Sequence, residues 1–298
     1  MVRVPARAEI PPQLLRRPFT VAEARRLGVS ADVLRGRRFR APFRGVRVPA
    51  DLPDDLTTLC RAASLVLPDD ARFCGPTAAT LHAIPLPPRA TATPLAVATS
   101  TRGLAIRGVA IRAETEPGRR CLKHGLALSE PAWSWAELAR SLDVEDLVVA
   151  GDHLLRRGLA GRAALHLVVE AWAGKRGVRR LARALPLLDG GADSPMESRL
   201  RLLLVRGGLP NPCVNRDVVE DGVWLARPDL SYPEQRIAIE YEGDQHRTDR
   251  RQWKSDKTRR RLLEDHGWLV IEVIDDDVYK TPVLTVARVR AALASRSR

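Results

Sequence analysis

The sequence is short of lysine, of paired cysteines and of long apolar runs. No uninterrupted apolar stretch approaches the ~18 residues of a membrane span, so no transmembrane helix and no membrane partner are expected. The N-terminal stretch MVRVPARAEIPPQLLRRPFT has no apolar h-region, so no secretory signal is expected. Cys60, Cys74, Cys121 and Cys213 form no CxxC pair and lack nearby paired histidines. Neither a zinc site nor a disulfide framework is indicated, and single buried thiols in a reducing cytoplasm are expected. His82, His124, His153 and His166 are dispersed and read as ordinary side chains. Gly190-Gly191 is not followed by Lys-Ser/Thr, so it is no phosphate loop, and no small-molecule cofactor is expected. No internal repeat is found. Only five lysines occur among 49 basic residues. Such an arginine bias, with abundant alanine, is what a GC-rich genome produces, so arginine content alone is discounted.

What is present is a 298-residue globular composition, long enough for about two domains with a sizeable core. The formal net charge is +13, which points to a polyanionic partner. Its placement is uneven. Residues 1–50 carry 12 Arg against Glu9, Glu23 and Asp32, net +9, whereas 51–194 and 195–298 are each net +2.

The first segment reads as helix, turn, helix and hairpin. Thr20 with Glu23 fits a capping box, Gly28 a turn, and Ser30 the cap of a second helix. Arg35, Arg37 and Arg38 lie on that helix's outer side, and Arg44 and Arg47 on the strand-like stretch after Pro42. Two short helices with a basic wing make a winged helix-turn-helix over 1–50, and these five arginines are its candidate contacts to double-stranded DNA. A small helical cap with solvated arginines is the plainer alternative.

Residues 51–188 read as a mixed α/β middle region. Helices are expected over 59–67 and 77–83, and strands over 95–98 and 104–111. Three or more helices are expected over 129–188, broken at Gly151, Gly158 and Gly174. Residues 189–194 read as a linker.

Residues 195–298 carry the chemistry, in an α/β arrangement. Ser194, Pro195 and Glu197 open a helix, and Gly207-Gly208 stops it. Strands are expected over 214–219, 223–226, 237–242 and 268–274, with helices over 252–266 and 283–294. Along the strand at 237, Ile237, Ile239 and Tyr241 point one way and Ala238, Glu240 and Glu242 the other. If the strand ending at Asp229 pairs with it antiparallel, Asp229 joins the acidic face. Three close carboxylates repel unless a divalent cation neutralises them. Mg²⁺ takes one or two carboxylates plus water and substrate phosphate, which suits phosphodiester hydrolysis.

The run Glu197, Pro228-Asp229, Glu240-Tyr241-Glu242-Gly243, His246, Asp256-x-x-Arg259, Leu263 and Gly267-Trp268 resembles the Vsr-like endonucleases of the PD-(D/E)XK superfamily. The first segment resembles the winged-helix domain of AbiEi-type antitoxins, and the Ala-rich middle resembles the region that joins the two in actinobacterial proteins. The resemblance implies a Mg²⁺- or Mn²⁺-dependent DNA endonuclease with a restriction-endonuclease-like C-terminal core. It implies that Asp229, Glu240 and Glu242 ligate the metal and that Glu197 completes the acidic shell. Glu242 stands where typical members carry a water-steadying lysine, a variant common in the Vsr-like group. His246 is implied as a general base or phosphate contact, and Asp256 with Arg259 as a DNA-contacting pair. Glu272 departs from the pattern, standing where relatives usually carry Arg. Glu197 is equally explained as a helix cap, and Asp256–Arg259 as a surface i,i+3 pair. The alternative function is a non-catalytic, antitoxin-like DNA-binding regulator.

Overall fold

The computed structural model describes residues 10–91, 94–113, 119–243 and 259–297. It is a mixed α/β protein with several sheets. The chain divides into two compact units, Met1–Leu138 and Ala139–Arg298. These limits differ from the sequence boundaries at 50/51 and 189–194. No described helix is long and apolar enough to cross a membrane.

The first unit begins with β1 (Phe19–Thr20), α1 (Val21–Arg26), α2 (Ala31–Arg35), β2 (Phe39–Arg40) and β3 (Val46–Pro49). The caps form as their residues dictate: Thr20 Oγ1 accepts from Glu23 N at 3.0 Å and Ser30 Oγ from Val33 N at 3.4 Å. The second half of the expected capping box does not form, because the Glu23 carboxylate pairs with Arg17 instead. Gly28 takes φ +81°, which only a glycine adopts without strain, and turns α1 into α2. The strands pair antiparallel in the order β1-β3-β2. Leu14, Phe19, Ala24, Leu34 and Phe39 form the core beneath them, with Phe19 and Phe39 edge to face at 5.3 Å.

The same unit continues through α3 (Leu56–Ser64), β4 (Arg72–Phe73), α4 (Gly75–Leu81), α5 (Pro88–Thr91) and β5 (Leu95–Thr99). It ends with β6 (Val109–Ala113), β7 (Arg120–Lys123), β8 (Leu126–Ser129) and α6 (Pro131–Leu138). The sheet order is β6-β5-β4-β8-β7. The strand expected from 104 starts only at Val109, and the β7–β8 hairpin, turning on His124 and Gly125 at positive φ, was not expected. A buried Arg72–Glu137 pair (3.2 Å) ties β4 to α6, and Glu137 also accepts from Gly75 N at 2.6 Å. Burial pushes the Glu137 carboxyl above its usual range, against these donors.

The second unit opens with α7 (Val144–Arg156), α8 (Arg162–Ala171), α9 (Val178–Ala184) and α10 (Pro195–Arg206). Gly158 and Gly174 end helices at positive φ as expected, but Gly151 lies inside α7. The helix runs through it because Leu147, Val148, Ala150 and Leu154 are all buried along its length. Residues 189–194 are fastened at several points: Asp189 N donates to Asp152 Oδ1 at 2.6 Å, Asp193 pairs with Arg156, and Asp193 N donates to Glu197.

β9 (Cys213–Val214), β12 (Leu230–Tyr232), β13 (Ile237–Tyr241) and β14 (Leu269–Val273) form a sheet in the order β14-β13-β12-β9. A separate hairpin, β10 (Val218–Glu220) with β11 (Val223–Ala226), splits the strand expected over 214–219. After β13 comes α11, of which residues 259–265 are described, and after β14 come α12 (Asp275–Tyr279) and α13 (Pro282–Arg296). One face of the sheet packs Leu230, Ile237 and Ile239 against Leu200 and Leu204 of α10 and Val289 of α13. The other packs Ala238 against Leu263 and Trp268. β14 is an edge strand, and Leu269 and Glu272 are exposed where a buried strand was expected.

Candidate active site

Alternation along β13 places the acids. Ile237, Ile239 and Tyr241 belong to the core below α10, whereas Ala238 belongs to the opposite core, so Glu240 lies on the Ala238 side. The antiparallel register pairs Leu230 with Ile239 and Ser231 with Ala238. One step further sets Asp229 across from Glu240. Tyr241 N donates to Asp229 Oδ2 at 2.7 Å and closes that end of the pairing with a side chain. Asp229 therefore precedes β12; it does not end the strand before it, because β11 stops at Ala226 and pairs with β10. Ser231, on the same face, has a buried hydroxyl with no partner among the described residues.

Glu242 N donates to Val273 O at 2.8 Å and carries the β13–β14 pairing past the strand end, while its side chain is exposed. Glu240 pairs in parallel register with Glu272. Glu272 is itself ion-paired with Arg260 of α11, so a guanidinium lies at this point of the sheet although the strand supplies an acid.

Glu197 is 6% exposed. Its Oε2 accepts from Asp193 N at 2.8 Å and from Asn215 Nδ2 at 2.6 Å. The first bond is a displaced capping box, one residue before the Ser194 cap. Asn215, at φ +46° just after β9, also donates from Nδ2 to Gly191 O at 3.0 Å and from N to Asp229 O at 2.9 Å. Its carbonyl accepts from Arg227 Nε at 2.8 Å, and Arg227 lies 3.5 Å from Asp193. Asn215 thus joins Glu197 on α10 to the backbone of Asp229. Sequence reasoning does not single it out, because its left-handed backbone and its contacts arise only in the fold.

Among the described residues, no three His, Cys, Asp or Glu side chains form a group that could hold a metal ion. The expected ligand set Asp229, Glu240 and Glu242, with Glu197 in its shell, is therefore not assembled. Asp229 is drawn to the Tyr241 amide, Glu242 faces solvent, and Glu197 is held by Asp193 and Asn215. Two oxygen donors on neighbouring strands, Asp229 and Glu240, still suit the one or two carboxylates that Mg²⁺ requires. His246 and Asp256 lie outside the described residues. Arg259, the first described residue of α11, is exposed.

The N-terminal arginines sort into two groups. Arg37, Arg38 and Arg44 are exposed. Arg35 is exposed but paired with Asp32. Arg47 is half-buried, donating from Nε to Leu34 O at 2.7 Å and from Nη1 to Val46 O at 2.8 Å. Its guanidinium caps the end of α2, which corrects its reading as a simple DNA contact.

No family model and no solved structure matches the chain. Two proteins of Mycobacterium tuberculosis resemble it: Uncharacterized protein MT2308 of strain CDC 1551 / Oshkosh and Uncharacterized protein Rv2248 of strain ATCC 25618 / H37Rv. Each is 32% identical over 165 residues, which is 55% of this chain. The chain spans 61% of the length of these curated relatives.

Proposed function

We propose that this chain is a divalent-metal-dependent DNA endonuclease of PD-(D/E)XK type, brought to double-stranded DNA by its N-terminal arginines. The observation that carries the reading is the placement of Asp229 across from Glu240, closed by the Tyr241 amide at 2.7 Å. The antiparallel β12–β13 and parallel β13–β14 pairings support it because they set both acids on the sheet face away from α10. Two helices with a small antiparallel sheet, β1 before them and β2 and β3 after, support a winged helix over the first 50 residues.

Asp229 and Glu240 would hold Mg²⁺ or Mn²⁺. Such an ion, when bound, supplies an activated water and offsets charge on the phosphodiester. The chain's own contribution is orientation. The Tyr241 amide fixes one Asp229 oxygen, and Asn215 sets the Asp229 backbone against α10 through Glu197. Glu242, exposed just after β13, would accept a proton or orient water. Arg37, Arg38 and Arg44 would contact phosphates.

Incubating supercoiled plasmid with the full chain and Mg²⁺ or Mn²⁺ tests the reading. Nicking or linearisation is expected for wild type, with about 100-fold or greater loss in Asp229→Ala and Glu240→Ala and none in EDTA. Cutting that survives both substitutions overturns it. The lack of a three-ligand group among the described residues favours a second reading, a non-catalytic DNA-binding regulator. That reading predicts tight duplex binding with no metal-dependent cutting.

A further inference from the structure

The near-neutral middle of the sequence conceals a second concentration of positive charge. Between His153 and Leu188 the chain carries eight Arg or Lys residues and one acid, Glu170, a net of +7. These residues follow α7 and lie on and around α8 and α9. Arg157, Arg176, Arg179 and Arg183 are exposed, and none of the four forms an ion pair among the described residues. The contrast is with α10 of the same unit, whose arginines are matched. Arg199 lies 2.5 Å from both Glu145 and Asp146, Arg201 3.0 Å from Asp152, and Arg206 2.8 Å from Glu145. A drift of composition toward arginine adds Arg everywhere; it does not strip acids from one stretch.

Arg179 and Arg183 are one turn apart on α9, and Arg176 precedes the helix, before Gly177 at φ +96°, while Leu181 and Ala184 on the opposite side are buried. Like charges at that spacing repel, a cost that persists without a polyanion to relieve it. Neighbouring cations hold the segment in place: Arg180 Nη1 donates to Ala139 O and Leu142 O, and Lys175 stands 5.1 Å from the Trp172 ring.

We propose that the exposed side of α9, with Arg176 just before it, is a second nucleic-acid surface that binds the phosphate backbone of duplex DNA. It is distinct from the N-terminal arginines. The inference shares the partner of the proposed function but not its chemistry, so it is tested in EDTA whether or not the acids cut. The experiment is fluorescence anisotropy of the full chain with a labelled 25-base-pair duplex between about 50 and 200 mM salt. The variant replacing Arg176, Arg179 and Arg183 with Gln is expected to flatten the slope of log affinity against log salt by about 2–3. It is also expected to weaken binding by about tenfold or more at intermediate salt. The matching Arg→Lys variant keeps the point charges and is expected to stay near wild type. An Arg37, Arg38 and Arg44→Gln variant is expected to weaken binding further when combined with the first. A folded Gln variant with wild-type affinity and slope overturns the proposal, as does a Lys variant as weak as the Gln one. Unchanged DNA binding with lost binding to phosphatidylcholine–phosphatidylserine vesicles also overturns it, in favour of an anionic membrane. Absence of plasmid cutting leaves the expected slopes unchanged and bears only on the endonuclease reading.

Discussion

Substituting Asp152 with Asn probes how α7 is held against α10. The Asp152 carboxylate accepts from Asp189 N at 2.6 Å, Ser198 Oγ at 2.8 Å and Arg201 Nη2 at 3.0 Å. Both charged side chains are almost wholly buried, at 1% and 3% exposure. Two effects compete. Desolvation disfavours the carboxylate, while Arg201 and the three donors favour it. Desolvation is the larger, and the Asp152 carboxyl is raised from 3.8 to about 6. The folded state therefore binds this proton more tightly than the unfolded chain. The associated stability is fully present below about pH 4 and is lost as pH rises through about 6. A rise of about 2 units corresponds to about 3 kcal/mol. Urea denaturation from pH 4 to 7.5, followed by tryptophan fluorescence, should show the wild type losing about 3 kcal/mol relative to Asp152→Asn across that range. Below about pH 4 the protonated Asp152 side chain and its Asn replacement are both neutral, so the two proteins start close in stability and the wild type falls behind as pH rises. A difference that stays flat with pH, or that moves in favour of the wild type, would refute the claim that desolvation outweighs the ion pair.

Asn215→Ala removes the donor shared by Glu197 and Gly191 and should destabilise the second unit by about 1–3 kcal/mol in urea unfolding. Asn215→Asp should be worse, because it sets a second carboxylate against the Glu197 oxygen now 2.6 Å away; a milder effect than that of Ala would sink the assignment. In the first unit, Arg47→Gln should cost about 1–3 kcal/mol through the lost bonds to Leu34 O and Val46 O. Arg37→Gln, at an exposed position, should stay within about 0.5 kcal/mol while weakening duplex binding. Equal stability losses at the two positions would remove the distinction between a helix-capping arginine and a phosphate contact.

Local signals were the legible ones. Thr20, Ser30 and Ser194 cap helices where the pattern says they should, because a hydroxyl three residues before an amide acts within one turn. The alternation of Ile237, Ala238, Ile239 and Glu240 assigns faces correctly, since strand periodicity is a backbone property. Errors arise where pairing partners are distant. The two-residue strand β9 is too short to carry a periodic signal, and it exists because β12 pairs with it. Gly151 was read as a breaker from its intrinsic propensity, which the buried stripe of α7 overrides. The tie between α7 and α10 through Asp152, Ser198 and Arg201 spans 46 to 49 residues, and no local rule anticipates it.

The candidate site divides along the same line. Glu240 and Glu242 were legible as an acidic strand face, because two acids beside a small Ala238 are hard to explain as packing, and Asp229 as a pairing neighbour of that face. Asn215 was not, because an asparagine becomes informative only when its φ of +46° and its contacts to Glu197 and Asp229 are known together. The charge pattern carries the same lesson in a form that sequence could have revealed. Averaged over residues 51–194, a surplus of three acids before His153 offsets part of the basic run after it, and the stretch reads as near neutral. Screening limits electrostatics to about 8–10 Å at physiological salt, so charge is better counted over short windows than over whole segments. The physically relevant window is one or two helices long. At that scale the protein carries two basic surfaces, and the second lies in the same unit as the acids that are proposed to cut.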